Sequence, residues 1–153
     1  MSVVRHPAEQ KVRILFLCRR NSARSILAEA LLRARFPDRY DAESAGIEPA
    51  GVHPLAVSVL DEINVSTAGL RSKHVSSLTG REFDVVATVC GTGEPTCPFF
   101  PGGRQMHRAF DDPSSAVGSD DARLASFRRV RDEIDAWIRE AFAPDASPGA
   151  SLD

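Results

Sequence analysis

The segment Cys18–Ser25 reads Cys18-Arg19-Arg20-Asn21-Ser22-Ala23-Arg24-Ser25. The apolar run Ile14–Leu17 stands directly before it, and the run Ile26–Leu32, with a single charged residue, follows it. This order predicts a buried strand, a tight loop and a helix. We therefore expect the segment to connect the carboxyl end of a strand to the first turn of a helix.

A cysteine and an arginine spaced C-x5-R across such a loop can bind and attack an oxyanion. Backbone N–H groups of the loop form a nest for an anion, and the helix N-terminus adds positive potential. Arg24 can grip two oxygens of a tetrahedral oxyanion with its planar fork. The same field favours the thiolate of Cys18 as nucleophile, and Ser25 can donate a hydrogen bond to it. The competing interpretation is a buried strand-end cysteine with an unrelated surface arginine.

The loop resembles that of the low-molecular-weight protein tyrosine phosphatases and of the arsenate reductases that share their fold. The resemblance implies that Cys18 is the nucleophile and Arg24 the oxyanion clamp. The family usually has a small residue and a glycine after the cysteine, and a positive φ at Arg20 would cost about 1 kcal/mol or more. The other residues expected to form the oxyanion loop are Arg19, Arg20, Asn21, Ser22, Ala23 and Ser25.

Length and composition favour one catalytic domain. The 153 residues are 42% hydrophobic, which is enough for a proper core, and the net charge of -2 argues against a nucleic-acid partner. No apolar run approaches the ~20 residues that span a bilayer, and residues 1–10 show no secretory signal. We expect a cytoplasmic protein without a membrane association. Its predicted parts are a flexible N-terminus at 1–10, a single catalytic domain at 11–142 and a disordered tail at 143–153.

The order of apolar runs predicts an α/β fold, a small doubly wound four-stranded parallel sheet flanked by helices. The last helix shows the clearest helical period, with an apolar stripe from Leu124 to Phe142 and Asp120 or Asp121 as its N-cap. The predicted strands are 12–17, 40–46, 83–89 and 105–110. The first predicted helix runs from about Arg24 to Arg35 and ends before Pro37, which cannot continue it. The other predicted helices begin at Pro54 and near Asp120, with a short helical turn at 74–78.

Three cysteines in a cytoplasmic protein favour catalytic or metal chemistry over a structural disulfide framework. Cys90 ends the third strand, and Cys97 follows a segment with two glycines and a proline, which is a candidate moving segment. Their spacing is wrong for structural zinc, which would also need His107 as a ligand, so we predict no metal site. A pair of buried core cysteines remains an alternative.

The Cys90 and Cys97-Pro98 pair, added to the C-x5-R-S loop, resembles thioredoxin-coupled arsenate reductases. The resemblance implies a relay in which a Cys18–Cys90 disulfide is followed by a Cys90–Cys97 disulfide, reset by an external dithiol. No tightly bound cofactor is implied. Thioredoxin is the expected partner, with a glutaredoxin or a small thiol as alternatives, and phosphate or sulfate would compete with arsenate. Asp112, next to Pro113, matches the family's general acid, although Asp111 stands beside it.

The family resemblance also concerns a cation position beside the loop. Some reductases of this family bind potassium beside the loop; Asn21, Glu29 and Ser44 match ligand positions, and Lys73 stands where those proteins have a carboxylate. We hypothesise that the Lys73 ammonium replaces the cation.

Two other functions compete with arsenate reduction. One is a phosphatase, which is disfavoured by Ser114-Ser115 because phosphatases usually place aromatic residues there. The other is a thiol sink for arsenite.

Overall fold

The computed structural model describes residues 11–92, 94 and 97–144. The predicted flexible N-terminus at 1–10 and residues 145–153 of the predicted tail lie outside the described residues. So do three residues of the candidate moving segment, at positions 93, 95 and 96.

Four parallel strands form one sheet in the order β2-β1-β3-β4. The central strand pairs on both sides, with Leu17 opposite Ala45 on one neighbour and opposite Thr88 on the other. The chain winds outward from β1 in one direction and from β3 in the other, so a crevice opens between these two strands at their carboxyl ends. The fold-class prediction is confirmed. The strands are β1 (Val12–Leu17), β2 (Tyr40–Ala45), β3 (Val85–Thr88) and β4 (Arg104–His107).

In the part of the chain that the structure describes, three α-helices and two short 3-10 helices complete the fold. Pro37 cannot continue a helix and lies just beyond the end of the first one, whereas Pro54 occupies the tolerated first position of the second. None of the described helices is long and apolar enough to cross a membrane. The helices are α1 (Arg24–Arg35), α2 (Pro54–Glu62) and α3 (Asp120–Ala141), and the 3-10 helices are Val75–Leu78 and Pro113–Ser115.

The two faces of the sheet are covered differently. Ile14 and Phe16 point into a large cluster that contains residues of all three α-helices, and Phe16 meets Trp137 edge to face. Leu15 and Leu17 point the other way, into a smaller cluster closed by the 3-10 helix Val75–Leu78. Because β1 is buried on both faces, it reads as a continuous apolar run rather than as an alternating one.

Three predicted details of the elements are corrected. The N-cap of α3 is Ser119, whose hydroxyl accepts from the N–H of Ala122, and both candidate aspartates lie in the first turn. β3 is shorter than the predicted strand by two residues before Val85 and one after Thr88. β4 ends at His107 instead of Phe110. The chain leaves the sheet there because the Phe110 ring packs against Trp137 and the Phe110 carbonyl accepts from Arg24.

Candidate active site

The loop between β1 and α1 turns its carbonyls outward. The Arg19 carbonyl accepts from the N–H groups of Ile47 and Glu48, and the Arg20 and Ser22 carbonyls accept from Ala50 and His53. Within the described part of the chain, no protein acceptor is paired with the N–H groups of residues 19–23. The loop therefore keeps its backbone donors for a ligand, as an anion nest requires.

Gly46 holds the loop close to the end of β2. A Cβ at this position would lie 2.6 Å from the Cys18 carbonyl, 2.7 Å from the Arg19 carbonyl and 2.9 Å from the Asn21 nitrogen. All three neighbours are backbone atoms, so they cannot move aside without reshaping the loop. The glycine is required here by close approach of two backbone segments.

Helix α1 begins without a side-chain cap. Its N-cap is Ala23, no side chain accepts from the first turn, and the first turn has no acidic residue. The first N–H groups of a helix have no partner within the helix, and they carry the positive end of its dipole. An anion bound in the loop would supply the missing acceptor.

Asn21 connects the loop to its surroundings and is fully buried. Its amide donates 2.8 Å hydrogen bonds to the hydroxyls of Ser25 and Ser44, and its carbonyl oxygen accepts from the N–H of Lys73 at 2.8 Å. Its φ is +47°, which an asparagine tolerates better than most residues. The left-handed residue of the loop is thus Asn21, and Arg20, where we considered such strain, is not among the positive-φ residues that the structure describes.

Ser25 lies 2.9 Å from the sulfur of Cys18. A hydroxyl has one proton, and because Ser25 already accepts from Asn21, that proton is free to be donated to the sulfur. A hydrogen bond that ends on the sulfur stabilises the thiolate more than the thiol. The predicted role of Ser25 agrees with this geometry.

Arg24 is 3% exposed and brings three elements together. Its guanidinium forms a two-point ion pair with the carboxylate of Glu94, donates to the Phe110 carbonyl at 3.3 Å, and lies 3.7 Å from Asp112. Burial lowers the pKa of Arg24, but the bond to Glu94 and the negative charges of Cys18 and Asp112 outweigh it and raise the pKa. The arginine therefore stays cationic at this site.

The structure distinguishes the two adjacent aspartates. Asp112 faces Arg24, and its other oxygen accepts from the N–H and the hydroxyl of Ser114 at 2.9 and 2.6 Å. Asp111 is exposed and pairs with Arg129 of α3 instead. The carboxylate that can reach a ligand on Arg24 is thus Asp112, in agreement with the sequence-based choice.

Cys90 and Cys97 form a disulfide, with their Cα atoms 6.0 Å apart, and Cys18 is a free buried thiol. Cys90 is buried, whereas Cys97 is exposed. Since Leu17 pairs with Thr88, Cys18 and Cys90 follow neighbouring strands at one edge of the sheet. The three cysteines therefore lie, in order, in the anion loop, at the carboxyl end of the sheet and at the surface.

A cleft of about 590 Å³ opens in front of Arg24. Thr92 and Ser114 contribute polar wall, and the exposed Arg20 and the half-buried Arg19 line its rim. Arg19 pairs with Glu48 at 3.2 Å. Arg20 thus adds positive charge to the approach path of an anion, whereas the charge of Arg19 is paired with that of Glu48.

Two residues of the site were missed by the sequence analysis. Glu94 was read only as part of a glycine-rich and proline-rich segment, and Gly46 only as the end of a strand. Glu94 could have been found from the sequence, because it is a carboxylate that stands between Cys90, which follows a strand, and Cys97. Nothing in the sequence indicates the contact of Gly46 with the loop, because the two segments are far apart along the chain.

The candidate cation position holds a network of charged side chains. Glu29 accepts from Ser44 and pairs with Arg33, and Lys73 lies 3.8 Å from Glu43. Burial raises the pKa of Glu29, partly offset by Ser44, Arg33 and Lys73. Burial also lowers the pKa of Lys73, against the opposing effect of Glu29 and Glu43. Lys73 therefore lies beside the Glu43 carboxylate, and its replacement of a cation stays a prediction.

Comparisons with known proteins agree on one family. The profile described as low molecular weight phosphotyrosine protein phosphatase matches residues 13–145. An arsenate reductase of Halalkalibacterium halodurans is 40% identical over 127 residues, covering 82% of this chain and 91% of that protein. An arsenate reductase of Bacillus subtilis is 37% identical over 133 residues, covering 86% and 95%.

Solved structures extend the similarity. One described as an arsenate reductase in the phosphate binding state has a TM-score of 0.69 and 26% identity, covering 84% of this chain and 94% of that one. The thioredoxin-dependent arsenate reductase of Corynebacterium glutamicum has a TM-score of 0.67 and 29% identity, covering 88% and 62%. A low molecular weight protein tyrosine phosphatase from T. tengcongensis, 20% identical with a TM-score of 0.63, shares the fold.

Ser25→Ala should slow alkylation of Cys18 by iodoacetamide at pH 6.5 by about tenfold, since a hydrogen bond to a charged group contributes roughly 1.5–3 kcal/mol. The rate is measured in a Cys90→Ser, Cys97→Ser background, in which Cys18 is the single remaining cysteine. Ser22→Ala in the same loop is the control and should react like its parent, because Ser22 does not hydrogen-bond to Cys18. Equal rates for both variants would contradict the proposed donor.

Potassium should leave wild-type stability unchanged if the Lys73 ammonium occupies the place of a cation. Lys73→Glu replaces the ammonium with a carboxylate, and potassium at tenfold its dissociation constant should then raise the free energy of unfolding by about 1.4 kcal/mol. Denaturant melts in potassium and tetramethylammonium chloride measure this. Arg71→Glu, an exposed change of the same charge, should show no such effect. Marked stabilisation of the wild type by potassium would overturn the hypothesis.

Proposed function

The chain belongs to the low molecular weight phosphotyrosine protein phosphatase family, and from this premise we propose that it reduces arsenate to arsenite. The observation that carries the proposal is the placement of a disulfide, Cys90–Cys97, at the sheet edge next to the Cys18 loop. Hydrolysis of a phosphoester needs one nucleophilic cysteine. Reduction of arsenate needs two electrons, which two thiols supply when they become a disulfide.

In the first step, arsenate binds to the loop N–H groups, the N-terminus of α1 and the guanidinium of Arg24. The Cys18 thiolate attacks arsenic, so that an S–As bond forms and an As–O bond breaks. The Asp112 carboxyl group lies 3.7 Å from Arg24, and in its protonated form it donates its proton to the departing oxygen, which leaves as water. Phosphate and sulfate have the same tetrahedral shape and compete at this step.

In the second step, the Cys90 thiolate attacks the sulfur of Cys18. The S–As bond breaks with its electron pair on arsenic, which is reduced from As(V) to As(III) and leaves as arsenite. A Cys18–Cys90 disulfide remains. Cys97 then attacks Cys90, which releases the Cys18 thiolate and forms Cys90–Cys97, the arrangement of sulfurs in this structure.

In the last step, an external dithiol reduces Cys90–Cys97. Cys97 is exposed and Cys90 is buried, so a protein dithiol can approach the disulfide from the side of Cys97. We propose thioredoxin as this partner, consistent with the thioredoxin-dependent structural relative. The cycle uses no resident cofactor, and we propose that it operates in the cytoplasm, where thiols are kept reduced.

Wild-type enzyme should consume NADPH continuously when mixed with arsenate, thioredoxin and thioredoxin reductase. Cys97→Ser should stop after one equivalent of arsenite, because its Cys18–Cys90 disulfide is not transferred to the surface. Cys18→Ser should form no arsenite at all. Continuous turnover by Cys97→Ser would show that another thiol resets Cys18–Cys90. A wild type that forms no arsenite but hydrolyses an aryl phosphate would make the phosphatase function the better one.

Asp112→Asn should lower the rate of the first step by about a hundredfold, the scale of a lost general acid. Single-turnover arsenite formation with reduced enzyme measures this rate. Asp111→Asn is the matched control, because its side chain is exposed and directed to Arg129. It should react within about twofold of wild type, since surface ion pairs contribute little. Similar losses in both variants would contradict the role of Asp112.

A further inference from the structure

Glu94 occupies the position on Arg24 that a substrate oxyanion needs. Both of its carboxylate oxygens meet the guanidinium, one of them at 3.2 Å from Nη2 and the other in a closer contact with Nη1. A carboxylate and a tetrahedral oxyanion engage a guanidinium with the same two-point geometry. One arginine fork cannot hold both in this way at once.

The backbone at Gly91 also accommodates the Glu94 carboxylate. The N–H of Gly91 donates to the same oxygen of Glu94 that contacts Nη1. A Cβ on Gly91 would lie 2.8 Å from that oxygen and 3.1 Å from the Phe110 carbonyl, so the glycine leaves room for the carboxylate. Glu94 is half-buried in the wall of the cleft that leads to Arg24.

The charges around Arg24 also disfavour a further anion while Glu94 is bound. Asp112 lies 3.7 Å from Nη2, so Arg24 already faces two carboxylates. Burial raises the pKa of Glu94, but the hydrogen bonds from Arg24 and Gly91 outweigh it and lower the pKa. Glu94 is therefore an anion at neutral pH, and a multiply charged oxyanion that enters while it is bound meets repulsion from both carboxylates.

The disulfide keeps Glu94 near this position. Glu94 lies inside the ring that Cys90–Cys97 closes, and the ring ends are 6.0 Å apart between Cα atoms. Without the disulfide, the seven residue steps from Cys90 to Cys97 could extend to about 23 Å. The ring therefore raises the effective concentration of the Glu94 carboxylate at Arg24, and opening it lowers that concentration.

Given the reduction cycle proposed above, we infer that Glu94 is a redox-coupled occupant of the oxyanion site. In the Cys90–Cys97 disulfide form, its carboxylate holds Arg24 and excludes oxyanions. When an external dithiol delivers two electrons and two protons, the S–S bond breaks, the two thiols form and the reductant becomes a disulfide. The ring opens, Glu94 is released from Arg24, and the site accepts an oxyanion.

This coupling has a chemical use. An arsenate attacked by Cys18 while Cys90 is still oxidised would remain as an adduct with no thiol to complete the reduction. Exclusion of oxyanions by Glu94 prevents this adduct, because the site opens only when Cys90 is available. Glu94 is a positioning residue in this scheme, since it acts through Arg24 and touches no reacting atom.

Calorimetric titration with inorganic phosphate tests the inference, since phosphate binds without being reduced. Oxidised wild type should bind phosphate about tenfold or more weakly than anaerobically reduced wild type, because the phosphate must displace a charged two-point contact. Oxidised Glu94→Gln should bind phosphate nearly as tightly as the reduced wild type. Cys90→Ser, Cys97→Ser, which cannot close the ring, should resemble the reduced wild type without any reductant.

Glu48→Gln is the matched control, because it removes the same charge from a residue paired with Arg19 at the cleft rim. It should keep the difference between oxidised and reduced protein. Equal phosphate affinity of the two wild-type forms, or no phosphate binding by either, would overturn the inference. So would an oxidised Glu94→Gln that binds as weakly as oxidised wild type. These outcomes are independent of arsenite formation, so failure of the proposed reductase activity is recognised separately.

Discussion

The hydrogen bonds of Asn21 are the constraint on which the site depends. This one side chain joins the loop to α1 through Ser25, to β2 through Ser44 and to the segment before the first 3-10 helix through Lys73. It also takes the left-handed conformation that lets the loop turn its carbonyls outward. The side-chain NH2 group and carbonyl oxygen of Asn21 are both hydrogen-bonded, and the residue is fully buried. Asn21 therefore holds the loop in a single conformation. The orientation of Ser25 towards the Cys18 sulfur follows from that conformation.

The electrostatics of the cleft are organised around a buried cation. Arg24 is nearly inaccessible, and a buried guanidinium needs anions around it. The carboxylates of Asp112 and Glu94 supply them from two different parts of the chain. In the mechanism proposed above, a substrate oxyanion replaces one of these anions. Under that proposal, the charge balance of the free site and its affinity for oxyanions have the same origin.

The parallel sheet explains why three distant cysteines can act in sequence. Neighbouring parallel strands end at the same edge, so the residues that follow β1 and β3 are brought together however far apart they are along the chain. The buried Cys90 lies between the loop that holds Cys18 and the exposed Cys97. Electrons from a surface partner thus have a covalent route to Cys18, which is itself buried.

The sequence by itself determined the elements that rest on local patterns. β1 and α1 have the predicted bounds, because a continuous apolar run and a following proline act within a few residues. The C-x5-R-S loop and the cysteine pair could be identified for the same reason, because each is a pattern of a few neighbouring residues. Tertiary structure decided what depends on long-range contacts. It directed Asp112 towards Arg24 and Asp111 towards Arg129, and it ended β4 early through Phe110. It also brought Glu94 to Arg24 across 70 residues, a pairing that no local pattern encodes because it arises only when the sheet aligns the two strand ends.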